Sequence, residues 1–196
     1  MGGLVLAVIL SYLLGSVPVG LLIGKLWGRD LRKYGSGNIG TTNALRVLGT
    51  GAAVLTLVGD AAKGMLGGYL GLLFSGTNLG MVVGALAAIF GQTYPLYLGF
   101  KGGKGVATSF GAVLFLSPPM GGILVAIWLA VVFLTRYVSL SSMTAAACAP
   151  LLVYVLKLPA EFYLFGFVAG GHIIYRHRDN IKRLLSGKEY KIGERV

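Results

Sequence analysis

An all-α, polytopic helix bundle embedded in a membrane is the fold class this sequence predicts, and three observations predict it. Of 196 residues, 56% are hydrophobic and only 12% are charged, with a mean hydropathy of +0.81, whereas soluble domains carry about 25% charged residues. The apolar residues gather into seven runs, at 3–24, 52–74, 79–99, 106–117, 119–135, 138–156 and 159–175, and about 20 helical residues cross the hydrocarbon of a bilayer. Lys and Arg keep almost entirely to the connections between those runs. The length fits a single domain over 1–196. Its 32 glycines suit helices whose backbones approach closely within a membrane.

Taken in order, the first run opens "MGGLVLAVIL" with no cation before it. A cleaved signal peptide has the opposite order, so this run is read as a permanent span. The runs 52–74 and 79–99 are long enough to cross. The next pair is ambiguous: 106–117 rises about 18 Å as a helix, and Pro118-Pro119 breaks the path. Two short crossings, or a hairpin entering and leaving on one face, both fit. In either case fifteen of the seventeen cations, from Lys25 to Arg46, at Lys101, Lys104 and Arg136, and from Arg176 to Arg195, fall on one face, with Lys63 and Lys157 the exceptions. The positive-inside rule makes that face cytoplasmic. The expectation is therefore about seven transmembrane helices, two of them short, with the N-terminus outside and the C-terminus cytoplasmic. A single long crossing over 106–135 would place Arg136 and the basic tail outside, and is rejected. The net charge of +11 is read as contact with anionic lipid or substrate rather than nucleic acid, because the cations flank spans. The one cysteine, Cys148, sits in an apolar run and forms neither an intrachain disulfide nor a Cys-rich metal site.

Three polar segments lie on the basic face. In "YGSGNIGTTN" (34–43), Gly35, Gly37 and Gly40 permit a backbone whose N–H groups line a concave anion site. Ser36, Asn38, Thr42 and Asn43 add neutral donors, and Arg46 adds a bidentate charge. A glycine-rich connector at the lipid surface has the same composition. In "FKGGKGVATSFG" (100–111), Lys101 and Lys104 bracket Gly102 and Gly103, Gly105 follows, and a helix is expected from Val106. A helix N-terminus favours an anion; snorkelling to lipid headgroups explains the lysines but not the glycines between them. In "YRHRDNIKRLLSGKEY" (175–190), His177 and Asn180 share a helix face, and Asp179 and Arg183 are spaced to pair. His177 is a candidate proton acceptor, or a hydrogen-bond donor to phosphate.

Asp60 and Lys63, three apart inside the second span, read as a local ion pair ordering the bundle. Ser139, Ser141 and Ser142 either face the site or cap a helix. No carboxylates stand at metal-ligand spacing and no H-x-x-x-x-D motif occurs. A cationic, glycine-rich, metal-poor site beside lipid fits a reaction among phosphorylated, lipid-soluble molecules with an already activated donor. The rival reading is a transporter or channel for small phosphorylated metabolites, whose site would lie near the midplane at inverted repeats; no repeat is visible.

The strings "YLLGSVPVGLLIGK", "GSGNIGTTNALRVLG", "DAAKG", "FKGGKGVAT" and "RHRDNIKRLLSGKE" resemble, in order and over nearly the whole chain, the bacterial acyl-phosphate:glycerol-3-phosphate acyltransferases. The resemblance implies an integral enzyme of the bacterial inner membrane, acting from the cytoplasmic side in phospholipid synthesis. It would move a fatty acyl group from acyl phosphate to glycerol 3-phosphate, giving lysophosphatidate and phosphate, without a metal or cofactor. By match it carries Ser36, Gly37, Asn38, Gly40, Asn43 and Arg46 from the first motif. From the second come Lys101, Gly102, Gly103, Lys104, Gly105 and Thr108, and from the third His177, Asn180, Arg183, Gly187 and Glu189. We expect His177, Asn180 and Lys104 to be catalytic, and Ser36, Gly37, Asn38, Gly40, Thr42, Asn43, Arg46, Lys101, Gly102, Gly103, Gly105, Thr108, Ser142 and Arg183 to bind substrate. Two positions depart from the family pattern: Thr41 stands where Ala is common, and Gln92 where His is common.

Overall fold

A computed structural model describes residues 2–194, so Arg195, counted above with the basic tail, lies outside the described residues. All regular structure among those residues is helical: α1 (Gly2–Ser16), α2 (Val19–Leu26), α3 (Thr41–Leu48), α4 (Thr50–Ser75), α5 (Asn78–Thr93), α6 (Val106–Leu116), α7 (Pro118–Thr135), α8 (Val138–Val155), α9 (Glu161–Arg176) and α10 (Arg178–Leu185), with 3₁₀ turns at Leu31–Lys33 and Leu96–Leu98. Among the described residues four stretches are long and apolar enough to cross a membrane: Gly2–Leu26, Asn78–Leu98, Pro118–Thr135 and Val138–Val155.

The expected first span is broken in two. Pro18 has no N–H and cannot continue a helix, but it tolerates a helix start, so α1 ends at Ser16 and α2 begins behind Pro18. Helix α6 starts at the predicted Val106. It turns into α7 at Ser117, whose hydroxyl accepts the Met120 N–H at 3.4 Å while two prolines occupy the first turn. The stretch 25–50, read from sequence as a loop, instead contains α3, bounded by Gly40 and Gly49. Its apolar face packs on α4 through Ala44 and Val47 against Ala53.

Helix α4 is the central element, packed on α1, α5 and α6. Gly64 and Gly111 explain how closely. A Cβ on Gly64 would lie 1.9 Å from the Thr108 carbonyl oxygen, and one on Gly111 would lie 1.9 Å from that of Ala61. Only glycine permits this backbone contact, the small-residue packing by which helices associate where lipid removes the hydrophobic drive. Helices α7, α8 and α9 form a second group, joined to the first by α5–α9 contacts and a core that includes Ile89, Val113, Val153 and Phe165. The outer face of α7 leaves Leu129 55% and Phe133 86% exposed, as a lipid-facing surface requires.

Candidate active site

The first polar segment is shaped by one amide. Asn43 is buried; its Nδ2 donates to the carbonyls of Leu31, Tyr34 and Asn38 at 3.1, 3.1 and 2.8 Å, and its Oδ1 accepts the Ser36 N–H at 2.9 Å. The loop folds around it. Gly35 has φ +59° and sits where a Cβ would meet Asn43 Oδ1 at 2.3 Å, so no other residue fits there. Asn38 Oδ1 accepts the Gly40 N–H at 2.9 Å. Asn43 is thus a scaffold for the loop, and the groups that remain presented are Ser36 ahead of α3, Thr41 and Thr42 in its first turn and Arg46 in its last.

The second segment is tied down from both sides. The N–H groups of Gly102 and Gly103 donate to the carbonyls of Thr93 and Gln92, each at 3.1 Å. Their own carbonyls accept from Arg176 Nη2 at 3.3 and 3.2 Å. Those N–H groups are therefore unavailable to an anion, which corrects the expectation that Gly102 and Gly103 bind substrate directly; they fix the loop. Gly105, at φ +77°, caps α6, and Lys104 is held where its ammonium donates to Asn180 Oδ1.

The third segment completes the constellation. Asn180 turns its Nδ2 to Glu189 Oε1, which also accepts from Ser139 Oγ at 2.7 Å, while Arg183 Nε donates to Glu189 Oε2 at 2.7 Å. Arg183 therefore pairs with Glu189 and not with Asp179, as the spacing had led us to expect. Burial works against the Glu189 charge, but hydrogen bonds from Asn180, Ser139 and Arg183 outweigh it and hold the carboxyl below its usual range. Burial pulls Lys104 down to about 8, opposed by the Glu189 charge. Burial, then the Lys104 charge, push His177 down to about 4. His177 is then neutral near pH 7. Its Nδ1 lies 2.8 Å from the Ile173 carbonyl, which assigns the proton to Nδ1 and leaves a lone pair on Nε2.

All three segments meet in one cavity of about 510 Å³. Of the residues expected at the site, Ser36, Asn38, Gly40, Thr42, Asn43, Arg46, Lys104, Gly105, Ser142, His177, Asn180 and Arg183 line it. Gly37, Lys101, Gly102, Gly103 and Thr108 do not. Lys101 is exposed, and Thr108 is fully buried at the Gly64 contact. The N-terminal turns of α3 and α6 both border the cavity, adding two favourable dipoles for anions. Away from this cationic end the lining turns apolar, through Leu57, Phe110, Val113, Leu124, Trp128 and Phe165. Sequence reasoning missed three participants: Arg176, which grips the second loop; Tyr190, whose ring lies 4.8 Å from the Arg46 guanidinium; and Trp128, whose indole N–H donates to Ser142 Oγ at 3.2 Å.

The expected Asp60–Lys63 pair is present at 2.9 Å, with both side chains almost fully buried, and Asp60 and Gln92 border the same cavity. Lys63 also donates to Gln92 Oε1 and to the carbonyls of Gly15 and Val17 at 3.2 and 2.7 Å, while Gln92 Nε2 donates to Asp60 Oδ2 at 2.9 Å. One ammonium thus satisfies the carbonyls freed where Pro18 interrupts α1. Among the described residues no three His, Cys, Asp or Glu side chains are grouped to hold a metal ion.

Comparison with known proteins gives a consistent result. A family model described as glycerol-3-phosphate acyltransferase matches residues 5–187. A glycerol-3-phosphate acyltransferase of Syntrophomonas wolfei is 44% identical, with 96% of each chain covered. Two crystal structures of an integral membrane glycerol 3-phosphate acyltransferase superpose closely. The glycerol 3-phosphate form has TM-score 0.92 and 42% identity, over 97% of this chain and 96% of that one. The lysophosphatidic acid form has TM-score 0.91 and 41% identity, over 97% and 95%.

Proposed function

Since this chain belongs to the glycerol-3-phosphate acyltransferase family, we propose that it transfers a fatty acyl group from acyl phosphate to the sn-1 hydroxyl of glycerol 3-phosphate, releasing lysophosphatidate and inorganic phosphate. The observation that carries this reading is the continuity of one cavity from a cationic end, with Arg46, Lys104 and Arg183, into an apolar lane. Both substrates are phosphates and one bears an acyl chain; a single space with these two ends matches that pair. The motif resemblance supports acyl phosphate, rather than a thioester, as donor. We further infer a bacterial inner-membrane enzyme with its N-terminus outside and its site on the cytoplasmic side, from the one-sided cations.

In this reading the sn-1 oxygen attacks the carbonyl carbon of the mixed anhydride. A C–O ester bond forms, the bond from the acyl carbon to the phosphate oxygen breaks, and the hydroxyl proton passes to phosphate. Acyl phosphate already carries a good leaving group, so the protein's task is to position and to stabilise charge. Lys104 and Arg46 hold phosphoryl oxygens, and Asn180 and Glu189 orient Lys104. A His177 pulled down to about 4 is a weak base near neutral pH. That favours a phosphate oxygen of the donor as proton acceptor, with His177 Nε2 receiving a hydrogen bond from a substrate hydroxyl. Among the described residues no carboxylates are clustered for a divalent ion, and the reaction as written needs none.

The test is direct. Purified protein receives acyl phosphate and glycerol 3-phosphate with chelator present, and phosphate and lysophosphatidate are measured together. Equal release of both is expected, with none from acyl-CoA. Turnover of acyl-CoA but not acyl phosphate would overturn the donor assignment. Glycerol 3-phosphate flux into liposomes without any product would favour a transporter.

A further inference from the structure

We propose that the apolar lane of the cavity is a ruler for the acyl chain, closed at its far end by Phe165 and Ala149, and that these two residues set the longest donor the enzyme uses well. The proposal rests on the acyl-transfer reading above. It goes beyond it by assigning chain-length selection to a particular layer of the bundle.

The lining stops at the same level on four helices. Moving away from the polar loops, the last lining residue is Val113 on α6, Leu124 on α7, Ala149 on α8 and Phe165 on α9. The next positions beyond them, Leu116, Met120, Leu152, Val153 and Phe162, do not line this cavity. Each is under 10% exposed, and they join Phe165, Ala149 and Val113 in one continuous core. The lane therefore ends blindly against close-packed side chains, which yield little to an intruding methylene.

Its bore and length suit a single tail. Ala145, Ala146, Ala149, Ala169 and Gly170 keep α8 and α9 from filling the space, while Trp128, anchored on Ser142, walls the side nearer the polar end. From Ser139, beside Glu189, to Ala149 the rise along α8 is about 15 Å. That is roughly half of a ~30 Å hydrocarbon core, the depth one lipid tail occupies. Each methylene seated in the lane should raise kcat/KM roughly fourfold, from about 0.8 kcal/mol per buried CH₂. The gain should cease where the chain meets Phe165. Ala149 faces the same end, so enlarging it moves the wall toward the polar loops and trimming Phe165 moves it away.

The experiment reads kcat/KM over a homologous series of straight-chain acyl phosphates for the unsubstituted protein, Phe165→Ala and Ala149→Leu. Expected is a rise with length to a plateau in the unsubstituted protein. In Phe165→Ala the rise should resume beyond that plateau, giving on the order of tenfold for two further carbons. In Ala149→Leu the plateau should come earlier. The binding of lysophosphatidates of increasing tail length, followed by thermal stabilisation, gives the same profile without turnover. If Phe165→Ala fails to fold, Ala149→Leu alone decides. Length profiles unchanged in shape in either folded variant overturn the ruler, and would mean that the chain leaves sideways past the exposed Leu129. Failure of the unsubstituted protein to turn over any acyl phosphate would count against the proposed function instead. A length plateau in lysophosphatidate binding that moves with the two substitutions would still stand.

Discussion

Two charged clusters lie within the bundle, and they use their lysines in opposite ways. Lys63 has four oxygens around it, those of Asp60, Gln92, Gly15 and Val17. An ammonium has three protons, so this one is saturated and its charge is neutralised by Asp60. Among the described residues Lys104 makes a single hydrogen bond to protein, to Asn180, and Glu189, the carboxylate that acts on it most strongly, is already engaged by Ser139, Asn180 and Arg183. Two of its donor directions remain. Arg46 is alike in this respect: among the described residues its Nε is buried without a partner, while its plane rests on Tyr190. A buried charge is costly to leave unpaired, so a cluster with surplus cationic donors facing a cavity calls for an anion. A saturated cluster holds helices together. Charge inside a membrane protein therefore does not by itself mark a site; unsatisfied donor capacity does.

The contrast is sharpest in the lysines themselves. Lys104→Ala should lower kcat/KM on the order of a thousandfold while moving the thermal midpoint in detergent little, since one protein hydrogen bond is lost. Near-normal turnover would break the assignment. Lys63→Met should do the reverse, costing about 3–5 kcal/mol of stability by stranding Asp60. Whatever protein stays folded should have a KM for glycerol 3-phosphate within a fewfold of normal. A large KM change with unaltered melting would make Lys63 part of the site.

The pH dependence separates the two clusters more finely. If Lys104 holds phosphate as proposed, binding needs its protonated form, and burial lowers that lysine to about 8. The kcat/KM should therefore hold below pH 8 and fall about tenfold per unit above it. In kcat the limb should lie higher, because a bound phosphate favours the charged lysine. Lys104→Arg should lose this limb whatever activity it keeps; a limb that persisted would assign it to another group. Linkage has the opposite sign for folding. A lysine lowered by the folded state binds fewer protons there than when unfolded, so its contribution to stability improves between about 8 and its ordinary value.

Smaller effects test the supports. Arg176→Ala frees the carbonyls of Gly102 and Gly103 and should raise the glycerol 3-phosphate KM about tenfold with kcat less affected, as for a residue that fixes a loop. His177→Gln keeps a polar group in place and should retain activity within about tenfold of normal if the donor phosphate takes the proton. Complete loss with intact substrate binding would make His177 the base.

The sequence was most legible where local chemistry decides. Val106 as a helix start and the Pro118-Pro119 corner follow from glycine and proline. The Asp60–Lys63 pair was visible from the helical period. His177 and Asn180 both line the cavity, but not from one helix face as their spacing led us to expect: His177 sits at the break between α9 and α10, and only Asn180 is helical. Helix α3 was not anticipated although its signals are present, Gly40 before it and Gly49 after it; three polar residues in its first turn masked the apolar stripe of Ala44, Val47 and Leu48. What could not be read was partnership at a distance. Period tells which face Arg183 occupies, not that Glu189 rather than Asp179 lies opposite. Nothing local links Arg176 to glycines more than seventy positions earlier. The same limit turned Gly102 and Gly103 from supposed anion donors into a tethered strap, because their N–H partners belong to the end of α5.

The backbone seams at Gly64 and Gly111 have a consequence for how such a protein can vary. At these two points of α4 and α6 any side chain is excluded, so that half of the bundle can drift very little without tearing the floor from beneath the GGKG loop. The far ends of α8 and α9 meet through alanines and phenylalanines, which can be exchanged in size. If the lane is the ruler proposed above, its selectivity for the lipid tail can thus change while the chemistry at the other end stands still.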